Sequence, residues 1–187
     1  MNKTRSDEDL MLGYRDGETA AFEILYGRHK GALYRYLLRQ CRIAAVAEEL
    51  LQDVWLNLVR ARERYEVKAK FTTYLFRLAH NRLIDYYRRQ STGLPASYTD
   101  EALLEEVPDV AQPAAETKLD LKRQAVRLKE HIAGLPEAQR EAFLLREETG
   151  LSIEQIAEVT DVNPETAKSR LRYAVARLRR ALGGGGE

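Results

Sequence analysis

An all-α fold, two small helical domains joined by a flexible acidic linker, is what this 187-residue sequence predicts. Three observations carry that prediction. Apolar residues recur at helical spacing over most of the chain, and no stretch alternates apolar and polar residues as a half-buried strand would. Residues 93–115, acidic and broken by Pro95, Pro108 and Pro113, interrupt that periodicity. Two basic blocks flank the interruption. Residues 60–89 hold nine basic side chains against Glu63, Glu66 and Asp85, and residues 164–182 hold six against Glu165. Residues 97–116 hold six acids and neither Lys nor Arg. The near-neutral total, 30 basic against 29 acidic residues, therefore hides two surfaces suited to a polyanion. Either block alone would read as a solvated helix face; the pair argues for function.

The elements follow in order. Ser6 with Asp9 opens a short first helix that closes at Asp16-Gly17. A second helix carries Phe22, Leu25, Tyr26, Leu33 and Leu37 on one face. A third runs from about Val46 with Leu50, Leu51, Val54, Leu58 and Val59 inward. A fourth starts near Phe71 and buries Leu75, Leu78, Ala79 and Leu83. These four make one bundle, residues 1–92. The linker, residues 93–115, has room for a short helical turn at residues 102–106. Periodicity returns in residues 116–187 with Leu119, Ala125, Leu128 and Ile132, and the run from Gly183 to Gly186 ends the last helix.

Composition excludes several classes. Hydrophobic residues at 44% and charged residues at 32% are too apolar for global disorder. No apolar run reaches the ~20 residues of a membrane span, and the polar start lacks a signal core, so a cytoplasmic protein without membrane insertion is expected. The lone Cys41 fits a reducing compartment. His29, His80 and His131 are scattered without cysteine partners, so neither metal nor cofactor is expected. With no nucleophile–base pair or phosphate loop in view, the chain does not read as an enzyme.

The C-terminal segment is the most informative. Ser152 and Gln155 form a capping box, and Ile153, Ile156 and Ala157 give a short helix one apolar face. Asp161-Val162-Asn163 is a tight turn. Asn163 caps the next helix and Pro164 takes its first position. There Ala167, Leu171, Ala174, Val175, Leu178 and Leu182 face inward. Glu165, Ser169, Arg172 and Ala176 point away, flanked by Thr166, Lys168, Tyr173 and Arg177. A short helix, a tight turn and a longer basic helix are what a helix-turn-helix requires.

The N-terminal block interleaves Phe71, Tyr74, Phe76, Tyr86 and Tyr87 with Arg77, Arg82, Arg88 and Arg89. Rings offer stacking platforms for unpaired bases, and arginines follow phosphates. Earlier, Glu49, Asp53 and Asn57 fall on one helical stripe with Glu48 and Gln52 beside it. Such a stripe disfavours phosphate and suits a basic protein partner.

Four stretches in this order, AFEILYGRHKGALYRYL, AEELLQDVWLNLV, FTTYLFRLAHNRLIDYYRR and LPEAQREAFLLREETGLSIEQIAEVTDVNPETAKSRLRYAVARLRRAL, resemble the bacterial RNA polymerase sigma factors of the extracytoplasmic function (ECF) type, in the sigma-70 family. The resemblance implies a region 2 domain over residues 1–92 and a region 4 domain over residues 116–187. It also implies a role in promoter-specific initiation. Glu48, Glu49, Gln52, Asp53 and Asn57 would dock on the clamp of the largest polymerase subunit, and the flap would be a second polymerase contact. Lys70, Phe71, Thr72, Tyr74, Arg77, Asn81, Arg82 and Arg88 would melt and read the minus-ten element, with Phe71, Thr72 and Tyr74 lining a pocket for an extruded base. Thr166, Lys168, Ser169, Arg170, Arg172, Tyr173 and Arg177 would contact the minus-thirty-five element. An anti-sigma factor is the implied further partner. Two departures stand out. Tyr74 replaces the usual tryptophan, keeping an aromatic. Asn163-Pro164-Glu165-Thr166 replaces a common Pro-x-Gly-Thr, and Glu165 can repel phosphate or accept from a cytosine amino group. The alternative, a free-standing helix-turn-helix regulator, would not need the aromatic-basic block together with the acidic stripe. A phosphorelay output protein would need strand-helix alternation that the N-terminal half lacks.

Overall fold

The computed structural model describes residues 5–91 and 115–183, with side chains for all of these except 115–121. Eight α-helices and one 3-10 turn account for the fold, and no strand occurs among the described residues. The expected linker up to residue 114, its helical turn at 102–106 and the tail from residue 184 lie outside that range.

Helix α1 (Asp7–Arg15) begins where its caps dictate. Ser6 Oγ accepts from the Asp9 amide at 3.1 Å, and three acids in the first turn meet the positive end of the helix dipole. Its apolar face buries Leu10, Met11 and Tyr14. Helix α2 (Thr19–Cys41) buries Leu25, Leu33, Tyr36 and Leu37 and ends at Arg42, which adopts the left-handed conformation (φ 65°) in place of a glycine. Helix α3 (Ala44–Ala61) turns Val46, Leu50, Val54, Trp55 and Leu58 inward. After the 3-10 turn Arg62–Arg64, helix α4 (Phe71–Ser91) contributes Phe71, Leu75, Phe76, Ala79 and Leu83 to the same core. The four-helix bundle forms as its periodicity requires, with one correction. Tyr26 is 37% exposed rather than inward, packing its ring against Trp55 at 5.1 Å with Lys30 over it.

Helices α5 (Ala115–Ala133), α6 (Glu137–Thr149), α7 (Ile153–Thr160) and α8 (Pro164–Gly183) make the second group. Leu144, Leu145, Ile156, Ala167, Ala174 and Leu178 form its core. The apolar face expected on α5 is only partly used. Ile132 is buried, but Leu128 and Ala125 are exposed, and Leu182 at the end of α8 is exposed as well.

The two groups touch: α6 lies against α2, and α7 against α4. Their seam is polar and largely closed to water. Tyr36 donates to Glu141 Oε1 at 2.7 Å, and His80 Nδ1 lies 2.7 Å from the same oxygen. Arg140 donates to the side-chain oxygen of Gln40 at 3.0 Å, while Tyr87 donates to the Gln40 carbonyl at 2.9 Å. Glu148 sits between Arg35 and Arg39 at 2.8 and 2.7 Å. Burial, helped by the Glu141 charge, pushes the Tyr36 phenol well above its ordinary value.

Candidate nucleic-acid interface

Helix α4 presents the first basic surface. At 100° per residue, Tyr74, Arg77, Asn81 and Arg88 share one stripe, with Lys70 just ahead of it. Lys70, Arg77, Asn81 and Arg88 are exposed and Tyr74 is half-buried. The Tyr74 ring meets Tyr65 edge-on at 5.2 Å, and burial raises its phenol pKa. An aromatic ring set on a second ring, at the head of a basic stripe, is a platform on which an unpaired base can stack.

Three expected members of this surface stand elsewhere. Phe71 is not a pocket wall: its ring is wholly buried, 5.3 Å from His29 and 6.5 Å from Tyr74, so it backs the platform from inside the core. Phe71 is the first residue of α4 and shares the inward face of Leu75 and Ala79. Thr72 is half-buried and lies across the helix from Tyr74, on the side of Ala79 and Leu83. Arg82 is turned away from the stripe. It bonds Asp85 at 3.3 Å and lines a small cleft between α3 and α4 with Glu49, Asp53 and Arg89.

That cleft splits the acidic stripe of α3. Glu48, Glu49 and Gln52 are exposed to solvent, whereas Asp53 and Asn57 are half-buried, and Glu49 and Asp53 line the cleft together with Arg82, Asp85 and Arg89 of the chain's own α4. Leu56, 49% exposed, extends the Glu48–Gln52 line by one turn. A solvent-facing row of one acid, one amide and one leucine is suited to a protein partner rather than to DNA.

The second basic surface is built as its caps foretell. Ser152 Oγ accepts from the Gln155 amide and Gln155 accepts from the Ser152 amide, at 3.3 and 2.9 Å. Helix α7 stops at Asp161 (φ 52°), and Asn163 Oδ1 accepts from the Thr166 amide at 2.8 Å to start α8. Along α8, Lys168, Arg172, Tyr173 and Arg177 are exposed, while Thr166, Ser169 and Arg170 are half-buried. The Arg172 guanidinium lies 5.1 Å from the Tyr173 ring centre, which holds both side chains outward together. A helix-turn-helix is thereby complete, with its second helix bare along one side.

Some residues around these surfaces left no local mark in the sequence. Glu8 of α1 accepts from the Phe71 amide at 2.7 Å, and Arg15 donates to the Tyr65 carbonyl at 3.3 Å. His80, in the middle of the basic block, faces Glu141. Among the described residues there is no group of three metal-ligating side chains, and no helix is long and apolar enough to cross a membrane.

Comparison with known proteins gives these surfaces a family. Residues 25–92 match Sigma-70 region 2, and residues 125–178 match Sigma-70, region 4. The RNA polymerase sigma factor CarQ of Myxococcus xanthus is 32% identical over 183 residues, spanning 92% of this chain and 95% of CarQ. The chain belongs to the ECF branch of the sigma-70 family. The ECF sigma factor SigM of Mycobacterium tuberculosis is 31% identical across 96% of this chain and 86% of SigM. Among solved structures, the sigma factor RpoE of Bartonella quintana, crystallised with the anti-sigma factor NepR, superposes with a TM-score of 0.67. It is 25% identical and the match covers 88% of this chain and 98% of RpoE. CnrH, solved with the cytosolic domain of CnrY, shares the fold at a TM-score of 0.67 over 97% of this chain. This sigma factor therefore binds core RNA polymerase and promoter DNA and directs promoter-specific transcription initiation.

Proposed function

We propose that this sigma factor divides initiation among three surfaces. The exposed part of the α3 stripe, Glu48 and Gln52 with Glu49, Asp53 and Asn57 at its flank, docks on the clamp of the largest polymerase subunit. The α4 stripe of Lys70, Tyr74, Arg77, Asn81 and Arg88 reads and melts the minus-ten element, with Arg82 acting from its flank and Thr72 from the other side of the helix's first turn. The α8 face of Thr166, Lys168, Ser169, Arg170, Arg172, Tyr173 and Arg177 reads the minus-thirty-five element. Residues 1–92 and 116–187 are the two working domains, and the chain between them is the tether.

The observation that carries this reading is the placement of two basic stripes on separate helical groups, one headed by a tyrosine set edge-on against a second ring and the other following the capped turn of a helix-turn-helix. Stacking offsets the few kcal/mol of extruding a base, and arginine and lysine beside it hold the phosphates. In the major groove, Arg172 suits guanine, and Glu165 at the head of α8 suits a cytosine amino group.

The site works by binding, so we assign no catalytic step to the chain, and its two binding partners, polymerase and chromosomal DNA, support a cytoplasmic role. Because RpoE is solved with an anti-sigma factor, we further propose that an anti-sigma factor holds this chain in turn.

Charge reversal tests the docking surface. Replacing Glu48 and Gln52 with arginine should lower affinity for core polymerase at least tenfold while the helical circular dichroism stays unchanged. Undiminished core binding would remove α3 from the assignment.

A further inference from the structure

We propose that α1 is a brace that sets the head of the promoter-reading helix, with Glu8 as its positioning residue. The inference rests on the assignment of α4 to the minus-ten element. It starts from a deficit. The first amides of any helix lack partners within the helix, and α4 brings no acidic residue to its own first turn to meet them. The partner comes instead from 63 residues earlier: Glu8 Oε1 accepts from the Phe71 amide at 2.7 Å. A carboxylate there satisfies an orphan donor and the positive end of the helix dipole at once.

The other end of α1 holds the other end of the same segment. Arg15 donates to the Tyr65 carbonyl at 3.3 Å. The two contacts are seven helical steps apart, about 10 Å along the axis. Residues 65–71, which lead into α4, are thus fixed at both ends by one rigid rod. Tyr65 carries the edge-on contact to Tyr74, so the brace reaches the stacking platform by two routes, through the start of α4 and through Tyr65. Asp7 locks the rod, bonding Arg28 at 2.6 Å and lying 2.6 Å from His29, whose ring packs on Phe71. The match to Sigma-70 region 2 begins at residue 25, beyond α1.

Glu8 touches no DNA in this scheme. It acts by holding Tyr74 and Lys70 where an extruded base must arrive. A helix whose first turn frays would still dock and still bind duplex DNA, but it would present its platform only part of the time. Loss should therefore fall on melting and spare docking.

The test uses the full chain assembled with core polymerase on a duplex promoter fragment carrying 2-aminopurine in the minus-ten element. Glu8→Ala should bind core with unchanged affinity and open the fragment at least tenfold more slowly. On a pre-melted fragment the difference should shrink. Glu8→Gln, which keeps an acceptor oxygen, should recover most of the rate, and Arg15→Ala should slow opening in the same sense as Glu8→Ala. Tyr74→Ala separates the two layers of the argument. If it opens normally, the assignment of α4 fails. If it is slow while Glu8→Ala opens at the wild-type rate, the brace alone is overturned. Equal loss in the alanine and glutamine variants, tracking a loss of folded protein in thermal melts, would also overturn the positioning role.

Discussion

Tyr74 and Phe71 are three residues apart and have different work. Phe71 is fully buried, so Phe71→Ala removes core volume and should destabilise the bundle by about 3–5 kcal/mol. Tyr74 is half-buried on the surface of the same helix, and Tyr74→Ala should leave folding nearly intact while slowing promoter opening. Thermal melts beside 2-aminopurine fluorescence would separate the two effects. The interleaved aromatic-basic pattern put both rings in one set of pocket residues, and only the helical phase separates them. Phe71 falls at i, i+4, i+7 and i+8 with Leu75, Leu78 and Ala79, whereas Tyr74 sits at the edge of that face. The tyrosines also make a pH prediction. Burial pushes the Tyr65 phenol up to about 12, with the charges of Glu8 and Asp7 adding to it, and Tyr36 is raised too. In the unfolded chain these phenols ionise near 10, so the folded state holds its protons more tightly. Their contribution is therefore full below pH 10 and, for Tyr65, is lost between about 10 and 12. The urea midpoint should fall over that window, and Tyr65→Phe should fall less.

At the scale of elements, α7 and α8 were legible because their signals are local. The Ser152–Gln155 box spans three residues, and the Asn163 cap reaches the Thr166 amide, also three residues on. Asn163→Ala should cost about 1 kcal/mol in thermal stability, since it strips the start of α8 of its acceptor. Arg172→Ala, on the exposed side of the same helix, should leave stability alone and weaken promoter binding by about 1–3 kcal/mol, with the loss confined to sequences bearing the preferred minus-thirty-five base. A competition assay against minus-thirty-five variants would read this. Helix α5 was less legible. Its periodicity promised an inward face through Leu128, yet that residue is exposed, because the pattern records which residues align and not whether a neighbour lies over them. The acidic stripe of α3 met the same limit. Its alignment was readable, but the cleft that Glu49 and Asp53 line together with Arg82, Asp85 and Arg89 depends on how α4 crosses α3.

For the molecule as a whole, the seam between the helical groups is the least legible feature. Tyr36 and Glu141 are 105 residues apart, His80 and Glu141 are 61 apart, and no short-range pattern links them. The seam also bears on how the chain works. Elements at minus ten and minus thirty-five lie about 85 Å apart along B-form DNA. A compact chain of 187 residues has a radius of gyration of about 16 Å. On the proposed assignment of α4 and α8, engaging both elements at once requires α6 and α7 to leave α2 and α4. Fluorophores at Glu23→Cys and Arg180→Cys should lose energy transfer when core polymerase is added. Glu141→Ala, which leaves Tyr36 and His80 without their shared acceptor, should show part of that loss in the free protein. The claim on which all of this depends is promoter-directed initiation by these surfaces. Run-off transcription from genomic fragments, with core polymerase alone and with the protein added, tests it most directly. Discrete transcripts that appear only with the protein, and vanish with Tyr74→Ala or Arg172→Ala, are the predicted result. Unchanged core output, together with tight binding of promoter DNA by a free dimer of the chain, would contradict it.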